Sequence, residues 1–379
     1  MLPCPCTKGR MYGRAAHNSL GWKEAGDQGS KMPSEDATND QDERVGELSG
    51  VILYKNGKVL RPTISLYPKV APNASFIDGV ATKDVVLNME EHVWVRIFLP
   101  QPSAIRSPQS SELKAGDSRK MPILLFFHGG AFVIFSAATS IFDTACRKWA
   151  GELGAIVISV GYRLAPEHRL PAAFDDGYLA INWLQEQATS KTADPWLSLH
   201  GDFSSCFMMG LSSGGSIAHH VALRICFAEL SPMQIRGVIL VVPFFGGNVR
   251  MSSELTRAHD DILTMNDSDT AWNLSLPLGA TRDHPYCNPI GPSSPDFKKF
   301  DLPPYLLIIG GKDPLHDRQM AFVEALRKSG KDVELLKYEN YGHYTPFPET
   351  DLITFMGRCL SQKVSDDVTV NISQKTSEI

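Results

Sequence analysis

The sequence predicts an α/β fold: a mostly parallel central sheet with helices on both faces. Two observations carry this. Five apolar runs, MPILLFFHGG, AIVISVGYR, CFMMGLSSGG, IRGVILVVPFF and PYLLIIGGKD, are rich in Ile, Leu and Val and do not alternate with polar residues. Strands read that way when both of their faces are covered. Helical stretches at 141–153, 173–188, 215–228 and 317–329 alternate with those runs, as parallel strands joined by crossover helices require.

The elements follow in order. The first 31 residues carry Lys8, Arg10 and Arg14 with no acid before Glu24, a faint likeness to an organelle transit peptide, and Met32 opens a second, acidic start. Disorder is expected over 1–47. VILYKNGKVLRP places Asn56-Gly57 between two alternating runs, a hairpin signal. VATKDVVLN and HVWVRIFLP alternate and are expected as edge strands, followed by a Pro/Ser-rich surface loop over 101–120. From 246 to 301 the chain shows no clear strand; an insertion of that length at the carboxyl edge of a sheet is a candidate lid. KDVELLKYE is the last strand, and 363–379 reads as a flexible tail. The main domain therefore spans 48–362.

Composition narrows the function. The 379 residues carry a net charge of -5 with no basic block, which gives nucleic-acid binding no electrostatic support. No uninterrupted apolar stretch reaches the length of a membrane span. The seven cysteines form no regular framework and are read as reduced thiols of a cytoplasmic protein.

Four short motifs carry chemistry. In FMMGLSSGGSIAHH, Gly210, Ser212 and Gly214 fit G-x-S-x-G between a buried strand and a helix, the setting of a nucleophile elbow. Ser212 stands at the apex; Ser213 opens the helix, where its N–H can face a developing oxyanion. In FFHGGAF, Gly130 and Ala131 are the main candidates for further oxyanion donors, and Gly129 shapes the turn. In GGKDPLHD, Asp313 follows a strand end, whereas Asp317 lies where a helix begins and reads as a cap or first-turn acid. In YENYGHYTPF, His343 follows the last strand after a glycine. The order Ser212, Asp313, His343 is that of α/β-hydrolases. A neutral hydroxyl needs His343 to remove its proton, and Asp313 to hold the imidazole.

With YRLAPEHRLPAAFDD at 162–176, the approach DPWLSLHGDFSSCFMMG and the segment LPLGATRDHPYCNP, the chain resembles plant carboxylesterases of the hormone-sensitive-lipase-like group of α/β-hydrolases. The resemblance covers about 48–362. It implies an α/β-hydrolase fold, acylation of Ser212 by a small-molecule ester, release by water, no cofactor, and a lid built from N-terminal residues and the insertion. A monomer or homodimer is expected, with no nucleic-acid or membrane partner. Ala131 stands where a third glycine is usual, Leu211 where an aspartate precedes the serine, and Gly161 where an aspartate precedes Tyr162. Relatives include a gibberellin receptor without the histidine, and eliminating or cyclising enzymes that use the histidine as a base. Trp272, Leu274, Leu276 and Leu278 of the insertion are expected to line a moderate pocket for small, fairly apolar esters or, for some of them, to form the core of the lid.

Overall fold

A computed structural model describes residues 44–48, 51–54, 58–61, 67–101, 120–257, 260 and 262–362, the first of these segments by its backbone. The expected disorder before residue 44, the flexible tail, the 101–120 loop apart from its ends, the Asn56-Gly57 turn, Cys4, Cys6 and His259 lie outside the described residues. Strands β1 (Arg44–Leu48), β2 (Val51–Tyr54) and β3 (Val59–Leu60) form a three-stranded sheet of their own, in that order. β2 and β3 pair antiparallel, as the hairpin reading requires. β1 lies inside the segment expected to be disordered and finds a sheet partner in the nearby β2.

The main unit alternates strand and helix as the sequence predicts. Its elements are β4 (Val80–Asn88), β5 (Val93–Pro100), β6 (Met121–Phe127), α1 (Ser140–Leu153), β7 (Ile156–Gly161), α2 (Ala172–Thr189), α3 (Pro195–His200), β8 (Gly201–Leu211) and α4 (Ser213–Ile225). There follow β9 (Ile235–Val241), α5 (Ser252–Thr256), α6 (Met265–Ser275), β10 (Tyr305–Gly310), α7 (His316–Lys328), β11 (Val333–Tyr338) and α8 (Glu349–Ser361). The eight-stranded sheet runs β11-β10-β9-β8-β6-β7-β5-β4. β5 lies antiparallel to both neighbours, and the pairs from β7 to β11 are parallel.

Phe126 and Phe127 show why these strands read as continuous apolar runs. Successive strand residues face opposite ways. Phe126 packs on Phe142 and Trp149 of α1, while Phe127 lies against Gly177 of α2 on the other face. Both are fully buried. α8 joins α1 through Leu352, Phe355 and Met356, whereas α4 and α7 close the opposite side around His219 and Phe322. At about 25 cal/mol per Å² of apolar area, this two-sided burial is the main source of stability.

One expectation needs correction. β4 is an edge strand, but β5 is not; it lies between β4 and β7. Its apparent polar alternation comes from Arg96, which is buried and held by Asp84, Asp143 and the Val70 carbonyl. A fully paired guanidinium can sit inside a sheet where a lone charge could not.

The insertion contains α5, α6 and a short 3-10 turn at Phe297–Lys299, and no strand among its described residues. Thr264 caps α6 by accepting from the Asp267 N–H at 3.0 Å.

Candidate active site

The strand order brings the four motifs to one edge. Adjacent β6 and β8 release the HGG turn and the serine side by side, with Phe127 registered on Gly210. Adjacent β10 and β11 release the Asp313 and His343 loops.

At the elbow, Ser212 adopts φ 53°, ψ -116°, a conformation costing about 1–3 kcal/mol for a residue with a side chain. The backbone holds it there: its N–H donates to Val241 O at 2.9 Å, and its carbonyl accepts from Gly215 and Phe244 at 2.8 and 3.0 Å. A Cβ at Gly210 would run into the Gly214 carbonyl, and one at Gly214 into the Phe127 carbonyl. Both glycines are thus required by close approach of strand, turn and helix.

Ser212 Oγ lies 2.8 Å from His343 Nε2, and His343 Nδ1 lies 3.0 Å from Asp313 Oδ2. A carboxylate only accepts, so Nδ1 carries the proton and Nε2 offers its lone pair to the serine hydroxyl. Burial works against a charged imidazole at 343, but the Asp313 carboxylate, through charge and hydrogen bond, and the Asp260 charge outweigh it. The His343 pKa is raised above 6.5. Asp313 is wholly buried and otherwise satisfied by the Leu315 N–H at 2.8 Å and Gln319 Nε2 at 2.9 Å. Asp317 instead sits in the first turn of α7, accepting from the Ser253 N–H, as its position predicts.

The oxyanion candidates lie on both sides of the serine. A Cβ on Gly129 would lie 3.4 Å from Ser212 Cβ, which puts this turn against the elbow. Gly130 and Ala131 have φ of 120° and 53°, and the Gly130 carbonyl is occupied by the Val133 and Ile134 N–H groups. Among the described residues the N–H groups of Gly130, Ala131 and Ser213 donate no hydrogen bond. For Ser213, first residue of α4, this follows from the four unpaired donors at any helix start. His128 fixes the turn by donating Nδ1–H to Gly129 O at 2.7 Å, stacked on Tyr162, whose hydroxyl donates to His128 O. Burial lowers its pKa to about 4, so it stays neutral.

Of the two positions where an aspartate is usual, Gly161 has a packing explanation. Gly161 is registered on Trp94 of β5, and a Cβ there would meet the indole at 2.5 Å. Leu211 packs against the apolar cluster formed by the strands with α1 and α8.

Of the four insertion residues expected to line a pocket, Leu274 is half-buried and the other three are either buried or exposed. Trp272 is fully buried, stacked on Phe244 at 4.7 Å and packed against Phe132. Leu276 is buried too, and Leu278 is 84% exposed. Trp272 therefore packs the insertion onto Phe132 and Phe244 beside the elbow, because stacked aromatics bury large areas at once.

Sequence reasoning missed Gln319 and Asp260. Gln319 is a polar residue on the buried face of an amphipathic helix, a signal that could have marked it. Asp260 accepts from the His343 N–H at 3.3 Å across 83 residues, and no local pattern announces it.

Residues 124–346 match a family model described as the alpha/beta hydrolase fold. Carboxylesterase 20 of Arabidopsis thaliana is 39% identical over 77% of this chain and 87% of its own length. 3-O-acetylpapaveroxine carboxylesterase CXE2 of Papaver somniferum is 41% identical over 73% and 88%. Gibberellin receptor GID1A of Arabidopsis thaliana is 38% identical over 72% and 76%. With the elbow, the HGG turn and this sheet order, these likenesses mean that the chain belongs to the plant carboxylesterase family of α/β-hydrolases.

Proposed function

We propose that this chain hydrolyses small, fairly apolar carboxylic esters through an acyl-enzyme on Ser212. His343 Nε2 takes the Ser212 proton as Oγ attacks the ester carbonyl. The charge on the carbonyl oxygen falls to the N–H groups of Ser213, Gly130 and Ala131, each worth about 3 kcal/mol in the transition state. His343 then gives the proton to the departing alkoxide, and the alcohol leaves. A water molecule, deprotonated by the same nitrogen, attacks the acyl carbonyl; collapse returns the proton to Ser212 and releases the acid. Asp313 keeps the imidazole in the required tautomer throughout.

The observation that carries this reading is the continuous line from Ser212 Oγ to His343 Nε2 and from Nδ1 to Asp313, at 2.8 and 3.0 Å. It speaks against a pure small-molecule receptor, which needs no aligned base. The bulky packing of Phe132, Phe244 and Trp272 beside the elbow and the name of the poppy relative, a carboxylesterase of an O-acetyl compound, support short acyl groups. A cytoplasmic monomer or homodimer without membrane or nucleic-acid partners goes with this reading; the net charge of -5 speaks only against a nucleic-acid partner.

A series of p-nitrophenyl esters tests it. Turnover of acetate and butyrate is expected, falling for long acyl chains, and Ser212→Ala should abolish it. Preference for long chains would contradict the substrate class. Turnover surviving in Ser212→Ala would instead favour an eliminating or cyclising enzyme that uses His343 only as a base.

A further inference from the structure

The geometry points to Asp260 as a positioning residue for His343, so that the insertion, and not the sheet alone, aims the base at Ser212. This rests on the hydrolase reading above and deepens it.

Asp260 and its neighbours on the insertion grip both loops of the relay. Asp260 Oδ2 accepts from the His343 N–H at 3.3 Å, while Oδ1 accepts from the Ile262 and Leu263 N–H groups at 2.9 and 3.1 Å. The carboxylate lies so close to the preceding residue that a Cβ at Gly342 would run into Oδ2. That accounts for the glycine before the histidine: the turn must be bare to admit the acid. Arg257 Nη1 reaches the Asp313 carbonyl at 3.3 Å, and Ser253 Oγ donates to the Pro314 carbonyl at 2.7 Å. The Arg318–Glu254 pair, both buried, anchors this stretch to α7 at 2.7 and 2.8 Å.

One stretch of the insertion thus holds the acid loop through Ser253 and Arg257 and the base loop through Asp260. The loops also touch each other, since the Lys312 N–H donates to the Tyr341 carbonyl. Among the described residues, the charged groups acting on His343 are Asp313 from the β10 loop and Asp260 from the insertion. Both favour its protonated form. Asp260 therefore acts on the base by position and by charge.

Asp260→Asn, assayed with p-nitrophenyl acetate over pH, tests the inference. An amide has one acceptor oxygen and cannot serve both Ile262 and His343. kcat is expected to fall on the order of 10-fold with little change in KM, because a misaimed base costs rate rather than binding. The acid limb of kcat/KM should move to lower pH, a change that loss of packing alone does not produce. An unaltered kcat with an unaltered limb overturns the inference. Gly342→Ala gives a second route: it should slow the wild-type background strongly and the Asp260→Ala background little, whereas equal costs in both contradict the coupling. A wild-type chain inert toward esters overturns the hydrolase reading itself and this inference with it. An active wild type beside an unchanged Asp260→Asn variant overturns the inference alone.

Discussion

The serine side and the acid–base side of this site are built by different means. On the serine side, β6 and β8 are neighbours and their turns are dictated locally: two glycines, a strained serine, a helix start and a histidine that bonds the next residue's carbonyl. On the acid–base side, Asp313 and His343 come from separate loops held by contacts from far along the chain, through Gln319, Arg257 and Asp260. The first arrangement is fixed by steric necessity within a few residues. The second is fixed by convergence, and depends on an insertion.

The two sides should therefore fail differently. The largest effect is expected on the acid–base side. Asp313→Asn should leave the fold intact, because its one amide oxygen can still accept from the Leu315 N–H while Gln319 turns its unpaired Oε1 toward the new NH2, yet it should lower kcat roughly ten-thousand-fold by favouring the wrong imidazole tautomer. A folded variant retaining a tenth of the wild-type rate would deny Asp313 its role. On the serine side the expected failure is structural. Gly214→Ala drives a Cβ into the Phe127 backbone and should cost about 3 kcal/mol or more, read as a lowered urea midpoint. An unchanged midpoint would mean that the elbow is looser than its geometry.

Acid separates the sides again, with opposite signs. Burial lowers the pKa of His128 to about 4, and that of His220, on α4, to about 3. The unfolded chain takes up these protons near 6.5, so stability should fall as pH drops below about 6.5, by about 2 kcal/mol per group at pH 5. His343 is raised instead. Its contribution is present below about 6.5 and fades as pH climbs through its higher folded value. Urea unfolding at pH 5 and pH 7.5 measures the balance; His128→Asn and His220→Asn should each flatten the acid loss.

The smallest effect belongs to Ala131. It holds φ 53° where glycine would be unstrained, so Ala131→Gly should relieve about 1 kcal/mol of strain, offset in part by a freer unfolded chain. By removing a methyl beside the oxyanion donors, it should also widen the range of acyl groups accepted. A narrower range would contradict the placement of Ala131 at the site.

What the sequence makes legible follows the same division. The parallel strands are readable because burial on both faces removes polar residues from them, as in MPILLFF and YLLIIG. The elbow is readable because only glycine fits on either side of Ser212. Asp313 could be preferred to Asp317 from its place after a strand end. The strand β5 was harder, since a buried, paired Arg96 looks like a solvent-facing residue in a linear pattern. Trp272 stays undecided in the sequence for a similar reason: an aromatic residue in an insertion looks the same whether it lines a cavity or fills one. Trp94 and Gly161, partners in the sheet 67 residues apart, explain a departure that neither explains alone. Asp260 lies beyond sequence reasoning, because its meaning is a contact made across 83 residues.

The central claim is that Ser212 is made nucleophilic by His343. Labelling with a fluorophosphonate, followed by mass spectrometry of tryptic peptides, tests it most directly. One adduct is expected, on the peptide spanning residues 192–224 that contains Ser212, and it should vanish in both Ser212→Ala and His343→Ala. Label on another peptide, or label on Ser212 undiminished in His343→Ala, would contradict the claim.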